Sequence, residues 1–152
     1  MRGPHGQELP GSVLFACTEN AIRSPMAAAL ARHLLGRFIY VRSAGVRAGE
    51  LDPLAVEVME ELGIEIVTHK PRTFEDLEDG SFDLVVTLSP EAQHRAVELT
   101  RTSAVEIEYW PITDPTAIEG SREQKLVAYR AVRDELLRRI KDRFDTRPSA
   151  DT

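Results

Sequence analysis

The sequence predicts an α/β fold: a three-layer, doubly wound, four-stranded parallel sheet of order 2-1-3-4, with helices on both faces. Short strand-like segments alternate along the chain with longer helical ones, which is typical of parallel strands joined by crossover helices. Two of the strand patterns are continuously apolar, as in buried inner strands, and the other two alternate apolar and polar residues, as in edge strands. Right-handed crossovers then fix the order of the strands.

The first strand and helix flank a distinctive loop. Residues 13–16 form a continuous apolar run that ends at Cys17. Ser24 opens an Ala- and Leu-rich segment that reaches Leu35 and closes at Gly36, which predicts a helix.

The middle of the chain repeats this strand and helix order twice. Residues 39–43 alternate apolar and polar side chains, and Asp52 with Pro53 then predicts the start of a helix that ends at Gly63. Residues 84–86 form the second continuous apolar run, and a helix opening at Pro90 follows it.

The last strand and helix complete the predicted fold. Residues 105–109 alternate cleanly, and Ser121 with Gln124 has the spacing of a capping box. The helix that follows places one apolar stripe on its face, formed by Tyr129, Val132, Leu136, Ile140 and Phe144.

Composition limits the classes of function. The 152 residues fit one domain, expected over residues 13–145, with flexible tails at 1–12 and 146–152. No apolar run suits a membrane span or a secretory signal, so a cytoplasmic protein without a membrane partner is expected. A net charge of −6 argues against nucleic acid as a partner. One Cys and four His without ligand spacing predict neither a disulfide nor a metal site.

The loop after the first strand has the chemistry of an anion site. In a sheet of this order, ligands bind at the carboxyl ends of strands 1 and 3, where Cys17 lies. A short loop entering a helix can turn its N–H groups inward, and their field favours a thiolate. Arg23 could then grip two phosphate oxygens. The predicted phosphate loop comprises Thr18, Glu19, Asn20, Ala21, Ile22, Arg23 and Ser24.

Other side chains are expected near this loop. Asn20 tolerates the left-handed conformation that a tight nest needs, and the Ser24 hydroxyl would be nearest the sulfur. Ser43, at the end of the second strand, could brace the loop, as could His69, for which a purely structural role weighs equally. Asp114 is the candidate acid for a leaving oxygen, although Asp-Pro also starts ordinary turns. A buried, inert Cys17 is the alternative to a nucleophile.

These residues resemble the low-molecular-weight protein tyrosine phosphatases and the arsenate reductases that share their fold. The resemblance implies that Cys17 attacks phosphorus, that Arg23 and the loop amides hold the oxygens, and that Asp114 protonates the leaving group and then activates water. It also implies a supporting network of Asn20, Ser24, Ser43 and His69, and no metal or other cofactor. It rests on Val13-Leu14-Phe15, Cys17, Asn20, Arg23-Ser24-Pro25, Ser43-Ala44-Gly45, His69 and Asp114-Pro115.

Three features of the sequence depart from the family pattern. Glu19 stands where the family usually has Gly, and a carboxylate there should oppose a dianion unless it points to solvent. Ile22 replaces a second Cys that many members use for a protective disulfide. Neither Thr116-Ala117 nor residues 47–50 contain an aromatic side chain to flank a phosphotyrosine ring.

The sequence therefore predicts a metal-independent cysteine phosphatase, similar to the protein tyrosine phosphatases, that hydrolyses phosphate monoesters or phosphoproteins. Inorganic phosphate or sulfate is expected to occupy the loop. One alternative is an arsenate reductase that uses an external thiol such as glutathione or mycothiol, because residues 109–121 look closer to that branch and no further cysteine is present. A second alternative, motivated by Glu19, is a catalytically weak or silent oxyanion-binding regulatory protein.

Overall fold

The computed structural model describes residues 2–77, 81–101 and 103–144. Four parallel strands form one sheet of order β2-β1-β3-β4, so the predicted topology is confirmed. The elements in chain order are β1 (Ser12–Cys17), α1 (Arg23–Leu35), β2 (Tyr40–Gly45), α2 (Pro53–Glu60), β3 (Leu84–Thr87), α3 (Pro90–Leu99), β4 (Glu106–Tyr109), a short 3₁₀ helix (Pro115–Ala117) and α4 (Arg122–Phe144).

The inner strands carry the continuous apolar runs. All four residues of β3 are buried, as is β1 from Val13 onward, whereas no residue of β4 is buried. In the register of β1 and β2, Cys17 lies opposite Gly45. The sheet therefore presents the end of β1 beside the end of β2.

Helices cover both faces of the sheet. The main core includes side chains of β1, α1, α2 and α4, such as Phe15, Leu30, Met59 and Leu136. A smaller apolar cluster around Leu14, Val85 and Ala96 packs α3 against the other face. Apolar side chains thus fill the space on both sides of the sheet, as expected for a doubly wound fold.

Side-chain caps fix the starts of three helices. The Asp52 carboxylate accepts a hydrogen bond from the Leu54 N–H at 2.8 Å, and Ser89 caps α3 in the same way. At α4 the predicted capping box is present: Ser121 N donates to Gln124 Oε1 at 2.7 Å, and Gln124 N donates to Ser121 Oγ at 3.2 Å. These contacts satisfy amides that lack a partner within the helix.

The N-terminal segment departs from the expected flexible tail. Ser12 already belongs to β1, and Leu9 is 5% exposed within the main core. The Gln7 side-chain amide donates to the Phe144 carbonyl at the end of α4, at 2.7 Å. Burial of Leu9 and this bond hold the segment against the domain. The expected C-terminal tail, residues 146–152, lies outside the described residues.

No helix in the described part of the chain is both long and apolar enough to cross a bilayer.

The buried stripe of α4 gives a stability prediction. Leu136 is fully buried and Val127, on the same helix, is 61% exposed. Leu136→Ala should lower the free energy of unfolding by about 2–5 kcal/mol, because it leaves a cavity in the core. Val127→Ala, the control, should change it by less than about 0.5 kcal/mol. Urea unfolding measures both, and equal effects would contradict this packing of α4.

Candidate active site

The loop between β1 and α1 lines a cleft of about 380 Å³ at the carboxyl edge of the sheet. Cys17, Arg23 and Asp114 all lie on its wall, although Asp114 is distant from the other two in sequence. The structure therefore brings the three predicted catalytic residues together. The cleft is lined by Cys17, Thr18, Glu19, Ala21, Ile22, Arg23, Arg47, Ser89, Pro90, Glu91, Asp114 and Thr116.

The Cys17 sulfur is buried beside a hydroxyl. Its Sγ lies 2.9 Å from Ser24 Oγ, and the residue is 2% exposed. Asn20 Nδ2 donates to the same Ser24 oxygen at 2.8 Å, which leaves the single hydroxyl proton of Ser24 for an acceptor. The acceptors within reach are the sulfur and, at 3.3 Å, the carbonyl of Ala44. The contact with the sulfur is the shorter of the two, and a hydrogen bond there would stabilise a Cys17 thiolate.

Asn20 is the centre of the supporting network. It is fully buried and has a φ of 55°, a left-handed conformation that Asn adopts more readily than most residues. Its amide nitrogen donates to Ser24 and, at 3.0 Å, to Ser43. Its amide oxygen accepts from the Arg72 N–H at 2.9 Å and lies 3.1 Å from His69 Nε2. The predicted quartet is thus in contact, and every hydrogen-bonding position of the amide is used.

His69 is held as a neutral donor. Its Nε2 faces two oxygens of Asn20, the side-chain one and the carbonyl at 3.3 Å, so the ring proton belongs on Nε2. Burial lowers the pKa of His69, and the charges of Arg72 and Arg32 lower it further, against the opposing effect of the Asn20 hydrogen bond. The imidazole therefore supports the loop without carrying a charge near neutral pH.

Arg23 is anchored from the opposite side of the cleft. It is 9% exposed, and its Nη1 donates to the Ile112 carbonyl at 3.0 Å, in the segment after β4. This bond fixes a guanidinium at the first turn of α1, where helix amides also favour an anion. The side chain of Ile22, which precedes the helix, does not cap it.

Asp114 is stabilised as a carboxylate. Its Oδ1 accepts two hydrogen bonds from Thr116, from the N–H at 2.9 Å and from the hydroxyl at 2.7 Å. Burial raises the pKa of Asp114, but the Thr116 hydrogen bonds and the Arg23 charge outweigh it and hold the pKa below its usual range. Asp114 is therefore ionised at neutral pH, ready to accept a proton.

Charged side chains form the mouth of the cleft. Arg47 and Glu91, from different segments, make an ion pair at 3.1 Å, and no aromatic side chain lines the cleft within the described ranges. Glu19 is exposed, and its carboxylate lies so close to Gly49 that a Cβ there would be 2.6 Å from Oε1. Solvent can therefore screen the negative charge that the sequence placed beside the phosphate loop.

Sequence reasoning missed several contacts around the cleft. Thr18 donates to the Ser89 hydroxyl at 2.9 Å, which joins the loop to the start of α3. Ser89 follows β3 and precedes Pro90, so its place at the same sheet edge could have indicated this contact. The Arg72 N–H and the Ile112 carbonyl are backbone groups, so no pattern of residue types predicts their contacts with Asn20 and Arg23.

In the described part of the chain, no group of three His, Cys, Asp or Glu side chains is arranged to hold a metal ion.

Comparison with known proteins identifies the family. The model of the low molecular weight phosphotyrosine protein phosphatase family matches residues 12–146. The chain belongs to this family. Among curated relatives, the arsenate reductase of Bacillus subtilis is 35% identical over 134 residues, covering 88% of this chain and 95% of the relative. That of Halalkalibacterium halodurans is 38% identical over 135 residues, with the same coverage.

Solved structures of the family superpose over most of the chain. A low molecular weight protein tyrosine phosphatase from T. tengcongensis is 29% identical, with a TM-score of 0.71 over 88% of this chain and 97% of that one. An arsenate reductase in its phosphate binding state is 27% identical, with a TM-score of 0.70, and the match covers 88% of this chain and 96% of that one. An arginine phosphatase mutant with a phosphorylated active-site serine is 25% identical, with a TM-score of 0.69, and the match covers 88% of this chain and 93% of that one.

The Thr116 contacts predict a change in the acidity of Asp114. Thr116→Val removes the hydroxyl donor but keeps the branched shape and the backbone N–H, so the pKa of Asp114 should rise. Carboxyl ¹³C NMR titration measures this directly. Thr113→Val removes a hydroxyl from the same segment and should leave the titration unchanged. An unaltered pKa in Thr116→Val would contradict the role of this hydroxyl.

Proposed function

We propose that this protein is a metal-independent cysteine phosphatase that hydrolyses phosphate monoesters through a cysteinyl-phosphate intermediate. The observation that carries the proposal is the 2.9 Å contact of the Ser24 hydroxyl with the Cys17 sulfur, in a cleft shared with Arg23 and Asp114. A nucleophile, a cation for the equatorial oxygens and a carboxyl for the leaving group are the parts that this reaction needs.

In the first step the Cys17 thiolate attacks phosphorus and the bond to the leaving oxygen breaks. Arg23 and the amides of the loop bind the three equatorial oxygens, over which the negative charge is spread in the transition state. Asp114 gives its proton to the leaving oxygen.

In the second step water attacks the phosphocysteine. Asp114, now a carboxylate, takes a proton from the water, and the bond between sulfur and phosphorus breaks. Cys17 leaves as a thiolate, which the Ser24 hydroxyl stabilises by donating a hydrogen bond. Inorganic phosphate is released from the loop, so phosphate and sulfate should compete with substrate.

Asp114 must gain its proton when the substrate binds. Thr116 and Arg23 lower its pKa, but a bound dianion places negative charge beside the carboxylate and favours its protonated form. Turnover of esters with poor leaving groups should therefore decline as the pH rises above the pKa of Asp114 in the complex.

The charged mouth favours substrates other than a bare phosphotyrosine ring. Arg47, Glu91 and Glu19 offer ion pairs and hydrogen bonds, while an aromatic leaving group finds no ring to stack on among the described lining residues. Polar or charged phosphate esters, including those of phosphoproteins, suit this surface best. A nucleophile that must stay reduced suits the cytoplasm, which is the location we assign.

Hydrolysis of p-nitrophenyl phosphate in the presence of a chelator tests the proposal. Wild type should turn over near pH 5–7, and Cys17→Ser should fall to background while still binding sulfate, because the loop amides and Arg23 remain. Ser103→Ala, which alters an exposed serine away from the cleft, is the control and should retain activity. Equal turnover by wild type and Cys17→Ser would rule out a cysteine phosphatase.

Arsenate reduction is the second candidate, because curated relatives at 35% and 38% identity carry that name. Cys17 would displace water from arsenate and form a thioester of arsenic. An external thiol such as glutathione or mycothiol would then attack the sulfur, giving arsenite and a mixed disulfide that a second thiol resolves. Arsenite formation that depends on such a thiol would favour this function over the phosphatase.

A silent oxyanion-binding regulatory protein would instead bind sulfate or phosphate and show neither activity. Glu19 lines the cleft but is exposed, so solvent screens its charge, and this weighs against such a loss of catalysis.

A further inference from the structure

A second cleft, of about 800 Å³, lies between α1, the start of β2 and residues 65–72. It shares no lining residue with the cleft that contains Cys17. Four cationic side chains line it, Arg32, Arg42, Lys70 and Arg72, together with the neutral His69. Glu65 is the single carboxylate among the lining residues, although the chain as a whole has a net charge of −6.

Three basic residues of this cleft differ from most of the arginines elsewhere in the described chain. Within the described ranges, Arg32, Lys70 and Arg72 form no ion pair with a carboxylate. Ion pairs are the rule on the rest of the surface, as in Arg47–Glu91, Arg95–Glu75, Arg122–Glu57, Arg130–Glu61 and Arg143–Glu108. Within the described ranges, the charges of Arg32, Lys70 and Arg72 are therefore not compensated by a carboxylate.

The cationic groups also lie close enough to repel one another. Desolvation lowers the pKa of Arg32, although this side chain keeps some exposure to solvent, and the charges of Arg42 and Arg72 lower it further. Arg32 cannot easily move away, because its Nε and Nη2 both donate to the Val41 carbonyl, at 3.2 and 2.9 Å. Fixed guanidinium groups in one concave site match a ligand with several anionic oxygens.

We propose that this second cleft binds a compact polyanion of the oligophosphate class. The volume exceeds that of the active-site cleft, so several phosphate groups fit, and the guanidinium and ammonium groups that line it supply charge-assisted donors to their oxygens. A concave site favours a compact ligand over an extended acidic peptide.

The second cleft is joined directly to the active-site network. Arg72 contributes its side chain to the cleft, while its N–H donates to Asn20 Oδ1 at 2.9 Å and its carbonyl accepts from Gly45 N at 2.9 Å. His69 also lines the cleft and contacts Asn20. An anion bound to the Arg72 side chain therefore acts one hydrogen bond away from Asn20, the residue that orients Ser24.

Isothermal titration calorimetry with tripolyphosphate tests the proposal on the full chain. The phosphate loop is a competing site, so the titration is repeated with Arg23→Gln, which weakens that loop and leaves the second cleft intact. Binding in the second cleft should persist in Arg23→Gln. Adding Arg72→Gln or Lys70→Gln to this variant should lower the affinity for tripolyphosphate about tenfold or more, since each substitution removes a charge-assisted contact.

Arg37→Gln is the matched control, because Arg37 is exposed, follows α1 and does not line the cleft. It should leave the affinity for tripolyphosphate unchanged. Lys70 is exposed, so its replacement should not impair folding. Amide NMR adds a structural readout: tripolyphosphate should shift the Asn20 and Arg72 resonances in Arg23→Gln.

Three results would overturn the proposal. The first is loss of all tripolyphosphate binding in Arg23→Gln, which would assign the ligand to the phosphate loop. The second is equal affinity in the Arg72→Gln, Lys70→Gln and Arg37→Gln variants. The third is tighter binding of an acidic peptide than of tripolyphosphate to the same residues, which would assign a protein partner. None of these readouts depends on phosphatase activity.

Discussion

The side-chain amide of Asn20 is the interaction on which the rest of the site depends. From a fully buried, left-handed position it joins the phosphate loop to α1 through Ser24, to β2 through Ser43 and to the segment that contains His69 and Arg72.

All four hydrogen-bonding positions of this amide are occupied, so a substitution would leave several buried polar groups without partners. The Ser24 hydroxyl owes its orientation toward the sulfur to the bond from Asn20. The nucleophilic role that we propose for Cys17 is therefore tied to the side chain of Asn20.

The sheet brings the partners of Asn20 together. Cys17 and Gly45 end neighbouring strands at the same level, and Gly45 allows the closest approach between β2 and the loop. A Cβ on Gly45 would lie 2.7 Å from the Asn20 nitrogen and from the Arg47 carbonyl oxygen, well inside contact distance. The absence of a side chain here is a packing requirement.

Much of this arrangement follows from the sequence. The apolar patterns are enough to order the strands. A strand buried on both faces has a continuous apolar run, whereas a strand buried on one face alternates apolar and polar residues. The spacing of Cys17, Arg23 and Ser24 predicts the loop, since its chemistry depends on residue types within one short segment. The left-handed Asn20 is likewise predictable from its place in a tight nest.

Other features depend on contacts between distant segments and on common residues. Leu9 is a lone apolar residue in a polar stretch, so its burial could not be predicted from periodicity. Asp114-Pro115 predicts a carboxylate at the sheet edge. The lowered pKa of Asp114 arises from Thr116 and Arg23, and the Asp-Pro pair alone does not predict that environment. The basic residues of the second cleft come from α1, β2 and residues 65–72, and only the fold brings them together.

The central claim is that Cys17 becomes covalently phosphorylated during turnover, and trapping that intermediate tests it most directly. p-Nitrophenolate leaves without help from an acid, so Asp114→Asn should slow the second step more than the first and let phosphocysteine accumulate. Rapid quenching and mass spectrometry of the intact protein, followed by peptide mapping, locate the phosphoryl group. We predict one phosphoryl group, carried by Cys17. Release of p-nitrophenol with Cys17 unmodified at every quench time would contradict the account.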